Sequence, residues 1–411
     1  MESTTASAEA RLQEYSSPAG GVHPLSTGAT TMSELLTLAA ENHADRAAIK
    51  FHADDQWHDV TYGELGEVVK SVAKGLIASG VEHGDFVSIL SNTRPEWTYA
   101  DFGSLCAGAV VAPVYPTNSA EECEYVLNHA ESKVLFVEDS EQLAKINGIR
   151  ANTPSLELVV VIESEGADLG DAISLEDLQA RGSAVSDDDY SARLASVKPD
   201  DLCTIVYTSG TTGPPKGCMI THENFRNTTL MGTATIADID ESNGETVYLF
   251  LPLAHVFARL TQFVVLDFGG TLAYWRRNPQ LIVPDLMEVK PESLPSVPRI
   301  FEKIYAMAGG AAASRSEEDQ ELFKKAIEVG FKVRTMQAAG QEVPPELLAG
   351  FERADEPVYK PVRALFGGNL KRAVTGAAPI AKEILELFYA CGIPVYEGYG
   401  LSECASVVCL N

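Results

Sequence analysis

From residue 31 onward the chain alternates between two hydrophobic rhythms. Short apolar runs of strand length occur in "DFVSILS", "VVAPVYP", "KVLFVED" and "LELVVVIES". Between and before them, apolar positions recur at helical spacing in "TMSELLTLAAENHA", "GELGEVVKSVAKGLIASG", "RPEWTYADFGSLCAGA" and "SAEECEYVLNHAES". Thr31 or Ser33 can cap the first of these helices, and Gly80 ends the second. "RAAIKF" and "WHDVTYGEL" predict two short strands around the turn-like Ala53-Asp54-Asp55, and "AKINGI" is expected to continue the alternation. Strand–helix–strand repetition predicts an α/β fold, with parallel or mixed sheet flanked by helices.

Between Gly166 and Asp201 the pattern weakens and turns acidic, with "SDDDY" at its centre and one weak helix in "SLEDLQARG". It reads as a linker or surface excursion. Beyond it, "DLCTIVYT", "CMITH", "TVYLFLP", "TLAYW", "LKRAVTG" and "PVYEGYG" predict strands. "ENFRNTTLMGTATI", "HVFARLTQFVVLDFGG" and "AKEILELFYACG" predict helices, as does a long segment from Pro298 to Phe351. A chain of 411 residues exceeds what one hydrophobic core usually supports. The expected division is a Ser/Ala-rich disordered tail over 1–30, a first α/β lobe over 31–200 and a second over 201–411.

Composition narrows the function classes. The net charge of −27 argues against nucleic acid and anionic membrane surfaces as major partners. No apolar run reaches the ~18 residues of a membrane span, so no integral membrane segment is expected, while transient membrane contact and oligomeric state stay open. The N-terminal "MESTTASAEARLQEYSSPAGG" lacks the basic start and apolar stretch of a secretory signal. The seven cysteines form no C-x-x-C pair, and several lie in apolar context. They read as reduced thiols of a cytoplasmic protein. The eight histidines are scattered, without metal-ligand spacing.

The most unusual stretch is "YTSGTTGPPKGCMITH", from Tyr207 to His222. Thr208, Ser209, Thr211 and Thr212 supply hydroxyls, Gly210, Gly213 and Gly217 supply conformational freedom, and Lys216 supplies a cation. Such a segment offers backbone N–H groups and hydroxyls to phosphate oxygens. A Walker A loop is excluded, because no Ser or Thr follows Lys216 and a strand is predicted where that loop requires a helix.

Three further stretches follow in order: "FLPLAHVFAR", "VTGAAP" and "YEGYGLSE". Alone, Glu403 reads as a surface carboxylate, Tyr399 as a strand-end aromatic and His255 as a core histidine. Together the four stretches resemble the signatures of the adenylate-forming superfamily, which includes acyl-CoA synthetases, firefly luciferase and nonribosomal-peptide adenylation domains. "HGDFVSILSNTRPEW" and "GAVVAPVYPT" match that family more diffusely. The resemblance implies ATP, Mg²⁺ and coenzyme A. Glu403 would hold Mg²⁺, and Ser402 would donate to the α-phosphate in place of the family's usual threonine. Tyr399 would offer its ring to adenine, alongside Glu397, Gly398 and Gly400 of the same motif. Gly376, Ala377, Ala378 and Pro379 would form the turn against the base. Lys216 and the loop hydroxyls would grip the outer phosphates, and His255 would stand where acyl chain and thiol meet.

"SVPRIFEKIY" and the helical insertion after it resemble long-chain fatty-acid–CoA ligases. An apolar tunnel could draw on Val256, Phe257, Phe263, Val264 and Val265. Two alternatives stay open: an adenylation domain that loads a carrier protein, as in carboxylic acid reductases or peptide synthetases, and a non-catalytic acyl-adenylate-binding module. The family's pattern continues past "VVCLN" to a ribose-binding aspartate, a hinge and a small domain with a catalytic lysine. The chain as read is therefore expected to adenylate weakly and to form no thioester.

Overall fold

A computed structural model describes residues 26–208, 213–235, 244–313 and 316–411. Its strands in chain order are β1 (Ala47–Ala53), β2 (Gln56–Thr61), β3 (Phe86–Leu90), β4 (Val110–Val114), β5 (Val134–Val137), β6 (Leu158–Val161) and β7 (Ile173–Ser174). They continue with β8 (Leu202–Thr208), β9 (Lys216–Thr221), β10 (Thr246–Leu249), β11 (Thr271–Tyr274) and β12 (Ser293–Ser296). The last three are β13 (Arg372–Thr375), β14 (Val395–Leu401) and β15 (Ser406–Leu410). Among the described residues they form two sheets, in the orders β7-β6-β5-β3-β4-β8-β9 and β15-β14-β13-β12-β10-β11-β1-β2. Every pairing is parallel except the hairpins β1–β2, β8–β9 and β14–β15, which close three of the four sheet edges. Central strands such as β4 and β5 are buried along their whole length, as parallel strands covered on both faces must be. The α/β class with two helix-flanked sheets is as the sequence predicts.

The sheets cross the division expected at residue 200. β1 pairs with β11 in register Ile49↔Leu272, so the first hairpin belongs to the later sheet. β8 pairs with β4 at Val111↔Thr204, which puts the β8–β9 hairpin in the earlier one. Each sheet thus draws strands from both halves of the chain. Of the 1–30 tail, residues 1–25 lie outside the described residues.

Three local expectations are corrected. The acidic stretch after Gly166 is no linker: besides the helix Leu175–Arg181, which the sequence offers as a weak one, it supplies β7 and the helix Asp187–Ser196. Leu175, Leu178, Val185, Tyr190 and Val197 within it are buried. A Cβ on Gly75 would come within 2.1 Å of the Leu178 carbonyl oxygen, so the stretch is clamped onto the helix Tyr62–Ala78. "AKINGI" contributes the end of the helix Ser140–Asn147, started by the Asp139 cap. Pro298–Phe351 holds helices Pro298–Ala313, Glu317–Ala338 and the start of Pro345–Ala354; Gly340, at φ 66°, and Pro344 break the run.

The helix Val256–Asp267 packs against β11 and β15 of the later sheet and against the helices Met32–Asn42 and His222–Thr235. Phe263 meets Phe102 at 5.5 Å and Phe225 at 5.1 Å between ring centroids. Below the same helix, Arg259 and Asp101 form an ion pair in which both side chains are fully buried.

Candidate functional site

β10, β12, β13 and β14 run parallel, so their carboxyl ends share one edge, the place where open α/β sheets bind ligands. Three of the sequence-predicted segments leave from it. After β10 the chain passes Leu251, Pro252 and Leu253 to reach His255. After β13 it makes the Gly376–Pro379 turn. β14 extends to Leu401, and the Ser402–Cys404 turn returns it as β15.

His255 caps the helix Val256–Asp267: its Nδ1 accepts from the Phe257 N–H at 3.2 Å, and its own N–H donates to Pro252 O at 2.8 Å. Burial pushes the imidazole pKa below its ordinary value. With Nδ1 accepting, the neutral ring carries its proton on Nε2. One turn of backbone therefore fixes both the tautomer and the direction of the free nitrogen.

The Gly376 turn is tight. A Cβ on Gly376 would lie 3.4 Å from Gly398 O and 4.0 Å from the Phe257 ring, which puts the turn beside both β14 and the His255 helix. Ala377 follows at φ 69°, in the left-handed region that residues with a Cβ rarely adopt. Ala377, Ala378 and Pro379 are exposed. Glu397 braces the turn, since its Oε1 accepts from the Ile380 N–H at 3.5 Å while its N–H donates to Asn411 Oδ1 at 2.8 Å. That makes Glu397 a support for the turn.

β14 presents Tyr399 with 58% of its surface exposed. Neighbouring Gly400 admits no side chain, because a Cβ would fall 2.0 Å from Ser406 O. Ala405 (φ 55°) and Ser406 (φ 105°) then turn the chain sharply after Ser402–Cys404. This turn rests on β9, the edge strand of the other sheet. Burial raises the Cys218 thiol pKa, the Thr208 hydroxyl lowers it and the Glu403 carboxylate adds to the rise, in keeping with the contact of this turn with β9. Glu403 and Lys216 are both exposed, and neither has an ion-pair partner among the described residues.

Thr208 and Lys216 are cross-strand partners at the end of the β8–β9 hairpin, and Gly213 takes φ 98° between them. Ser209, Gly210, Thr211 and Thr212 lie outside the described residues. The strand after Lys216 is as the sequence predicts, and with it the exclusion of a Walker A loop. Two supports of this hairpin escape the sequence reading. Tyr125 donates its hydroxyl to Pro215 O at 2.8 Å, and His129 Nδ1 lies 2.9 Å from the Tyr207 hydroxyl. Their rings stack at 5.5 Å on one face of the helix Ala120–His129, and the i, i+4 spacing in "EYVLNHA" is the signal that could have found them.

Of the expected tunnel residues, Val256, Phe263, Val264 and Val265 are core, leaving the half-buried Phe257 next to the Gly376 turn. No cluster of three or more His, Cys, Asp or Glu with metal-holding geometry occurs among the described residues. A single exposed carboxylate such as Glu403 still suits Mg²⁺, which takes one or two protein carboxylates and completes its shell with phosphate oxygens and water. No described helix is long and apolar enough to cross a membrane. All seven cysteines are free.

Known proteins share this arrangement. Residues 36–411 match the AMP-binding enzyme family. The chain is 36% identical over 359 residues to long-chain-fatty-acid–CoA ligase FadD15 of Mycobacterium bovis, covering 87% of this chain and 58% of that relative's length. It is 31% identical over 380 residues to long-chain-fatty-acid–CoA ligase ACSBG2 of Xenopus laevis, covering 91% of this chain and 51% of that one. The chain thus spans little more than half the length of these relatives. Among solved structures, the N-terminal domain of FACL13 from Mycobacterium tuberculosis is similar with a TM-score of 0.66 and 21% identity, over 92% of this chain and 78% of that one. The A domain of carboxylic acid reductase from Segniliparus rugosus, in complex with AMP and a co-purified carboxylic acid, has a TM-score of 0.70 and 20% identity, over 98% and 63%. With the family matched over nearly the whole chain, and its four signature stretches meeting at one sheet edge and the facing hairpin, this chain belongs to the AMP-binding enzyme family.

Proposed function

We propose that this chain carries the adenylation site of an AMP-forming acid–thiol ligase, which activates a long-chain fatty acid with ATP, releases pyrophosphate and passes the acyl group to coenzyme A. The observation that carries the reading is the meeting of the Ser402–Cys404 turn with β9, which brings Glu403 close to the strand that begins at Lys216. Adenylation brings a carboxylate to the α-phosphorus while pyrophosphate departs, so its barrier is electrostatic and positional. A carboxylate for Mg²⁺ close to the strand that begins with a lysine for the departing phosphates answers that demand. Mg²⁺, when bound, supplies positive charge to the phosphate oxygens, with Glu403 as its protein ligand.

In this reading Lys216, Thr208, Gly213 and the loop residues Ser209 to Thr212 hold the β- and γ-phosphates. Ser402 donates to the α-phosphate. Tyr399 stacks on adenine opposite the Gly376–Pro379 turn, with Gly398 and Gly400 keeping the approach open. His255 positions the acyl end and the incoming thiol from beside Phe257. The names of the relatives, long-chain-fatty-acid–CoA ligases, support the acid; seven free cysteines suit a cytoplasmic location. The fold likeness to carboxylic acid reductase adenylation domains keeps transfer to a carrier protein as the second reading. Titration with a hexadecanoyl-, a benzoyl- and a phenylalanyl-sulfamoyl adenosine tests the acid: hexadecanoyl is expected to bind tightest, and a preference for either of the others would overturn the choice of a long-chain fatty acid.

A further inference from the structure

The "SNTRPEW" stretch at the carboxyl end of β3 has no place in the adenylation site, yet three consecutive residues there bond to three separate parts of the molecule. Asn92 donates from both its N–H and its Nδ2 to Glu138 Oε2, each at 2.7 Å, just beyond β5. Arg94 pairs with Glu163 at 2.6 Å, just beyond β6. Between them Thr93, 2% exposed, reaches into the other sheet. Its Oγ1 donates to Leu251 O at 2.7 Å and accepts from the Leu253 N–H at 2.9 Å. One hydroxyl therefore brackets Pro252, whose carbonyl takes the His255 N–H at 2.8 Å.

The bracket is itself held. Trp275 Nε1 donates to Thr93 O at 3.1 Å. Two residues on, Arg277 bridges Glu138 at 2.7 Å and Glu163 at 2.8 Å, and does so at φ 55°, a left-handed backbone unusual for arginine. The carboxyl ends of β3, β5 and β6 in one sheet are thereby tied to those of β10 and β11 in the other. The chain from β10 to the His255 cap runs through Leu251–Leu253, and the Pro252 carbonyl takes the His255 backbone N–H, so holding that segment constrains where the imidazole stands.

We infer that Thr93 is a positioning residue for His255: by bracketing Pro252 it sets where the imidazole and the adjoining Phe257 stand, and hence how the site receives the acyl part of its ligand. The functional half of this inference rests on the reading proposed above; the geometric half does not. A valine at 93 keeps the shape and removes both hydrogen bonds, leaving a buried carbonyl and N–H unpaired. Serine keeps the hydroxyl.

The test uses the full chain with two readouts. The first is the His255 imidazole NMR signal, assigned with His255→Asn, in wild type, Thr93→Val and Thr93→Ser. Thr93→Val is expected to shift it and Thr93→Ser to restore it; an unshifted signal in folded Thr93→Val overturns the inference. If Thr93→Val does not fold, Trp275→Phe takes its place, with a smaller shift expected and none overturning it. The second readout is binding of hexadecanoyl-sulfamoyl adenosine beside AMP. Thr93→Val should weaken the acyl analogue about tenfold while AMP changes by less than about twofold, as a misplaced acyl end of the site would. Equal losses for both ligands would mark Thr93 as merely structural and overturn the inference. Wild-type protein that binds neither ligand would instead defeat the proposed function, with the His255 signal still deciding the geometry.

Discussion

Arg259 stands one helical turn beyond His255 and is bound, with no exposed surface, to Asp101 from 158 residues earlier in the chain. Arg259 Nε lies 3.0 Å from Asp101 Oδ2, and Gln262 Nε2 donates to the same oxygen at 2.9 Å. Three rings, of Trp97, Phe225 and Phe263, lie 5.5 to 5.9 Å from the guanidinium carbon. The pair ties the helix that His255 caps to the helix Pro95–Cys106 and so to the first sheet.

Breaking this pair from one side should be severe. Asp101→Asn leaves a buried, unpaired guanidinium and is expected to lower stability by roughly 3–5 kcal/mol. The double replacement Asp101→Leu with Arg259→Met should lose much less, since no charge stays behind. Urea midpoints of the two variants against wild type measure the difference; equal losses would mean that packing, and not charge, dominates here.

Acid sensitivity should come in part from His222. It is 2% exposed, its Nδ1 accepts from the Met32 N–H at 3.2 Å, and burial lowers its pKa to about 4. Asp201 and Glu34 act to raise it, while Arg259 and His83 lower it. A depressed folded-state pKa means that the neutral ring stabilises the fold above about pH 6.5 and that this stability is lost as pH falls toward 4. The contribution is roughly 3 kcal/mol for one proton over that window. His222→Asn keeps an acceptor near Nδ1 and removes the proton site. Its unfolding free energy should therefore fall less than the wild type's between pH 6.5 and 4, and parallel curves would contradict this.

Tyr125 should influence nucleotide binding without touching nucleotide. Its hydroxyl holds Pro215 O, the residue before Lys216. Tyr125→Phe removes one hydrogen bond, worth about 1 kcal/mol, and should weaken ATP–Mg²⁺ about fivefold if that carbonyl sets the lysine's approach. Calorimetric titration checks it, and an unchanged affinity would leave the contact with a packing role alone.

Gly400 should tolerate no side chain. With Ser406 O 2.0 Å from its ideal Cβ, Gly400→Ala must spread the β14–β15 hairpin, at an expected loss of ~1–3 kcal/mol. The same change should weaken nucleotide analogues, because Tyr399 and Ser402 flank it. Thermal unfolding and AMP binding measured on one preparation check both effects.

The element types were legible because period-2 and period-3.6 patterns are local, and the signature stretches were legible because they hold glycine, hydroxyl and charge where a core cannot use them. Sheet membership was not. Nothing in "RAAIKF" states that β1 pairs with β11 more than 200 residues later, nor does "DLCTIVYT" state that β8 pairs with β4. The acidic stretch after Gly166 misled for a related reason: the buried Leu175, Leu178, Val185, Tyr190 and Val197 hold it, too few to dominate its composition. The supports were hidden as well. Thr93 and Asp101 act through long-range side-chain bonds, and Tyr125 shows locally only in its spacing to His129, while Asp101 stands out as a charge in a helix otherwise buried on nearly every side.

The most direct measurement is the affinity of the chain for acyl-sulfamoyl adenosines of two, eight and sixteen carbons, in wild type and Tyr399→Ala. Affinity is expected to rise with chain length. Every member is also expected to lose roughly 1–3 kcal/mol in Tyr399→Ala, as a base that stacks on that ring would. Tyr399 is 58% exposed, so the fold itself should be unaffected. Affinity independent of chain length, or insensitive to Tyr399, would contradict a fatty-acyl-adenylate site at this sheet edge.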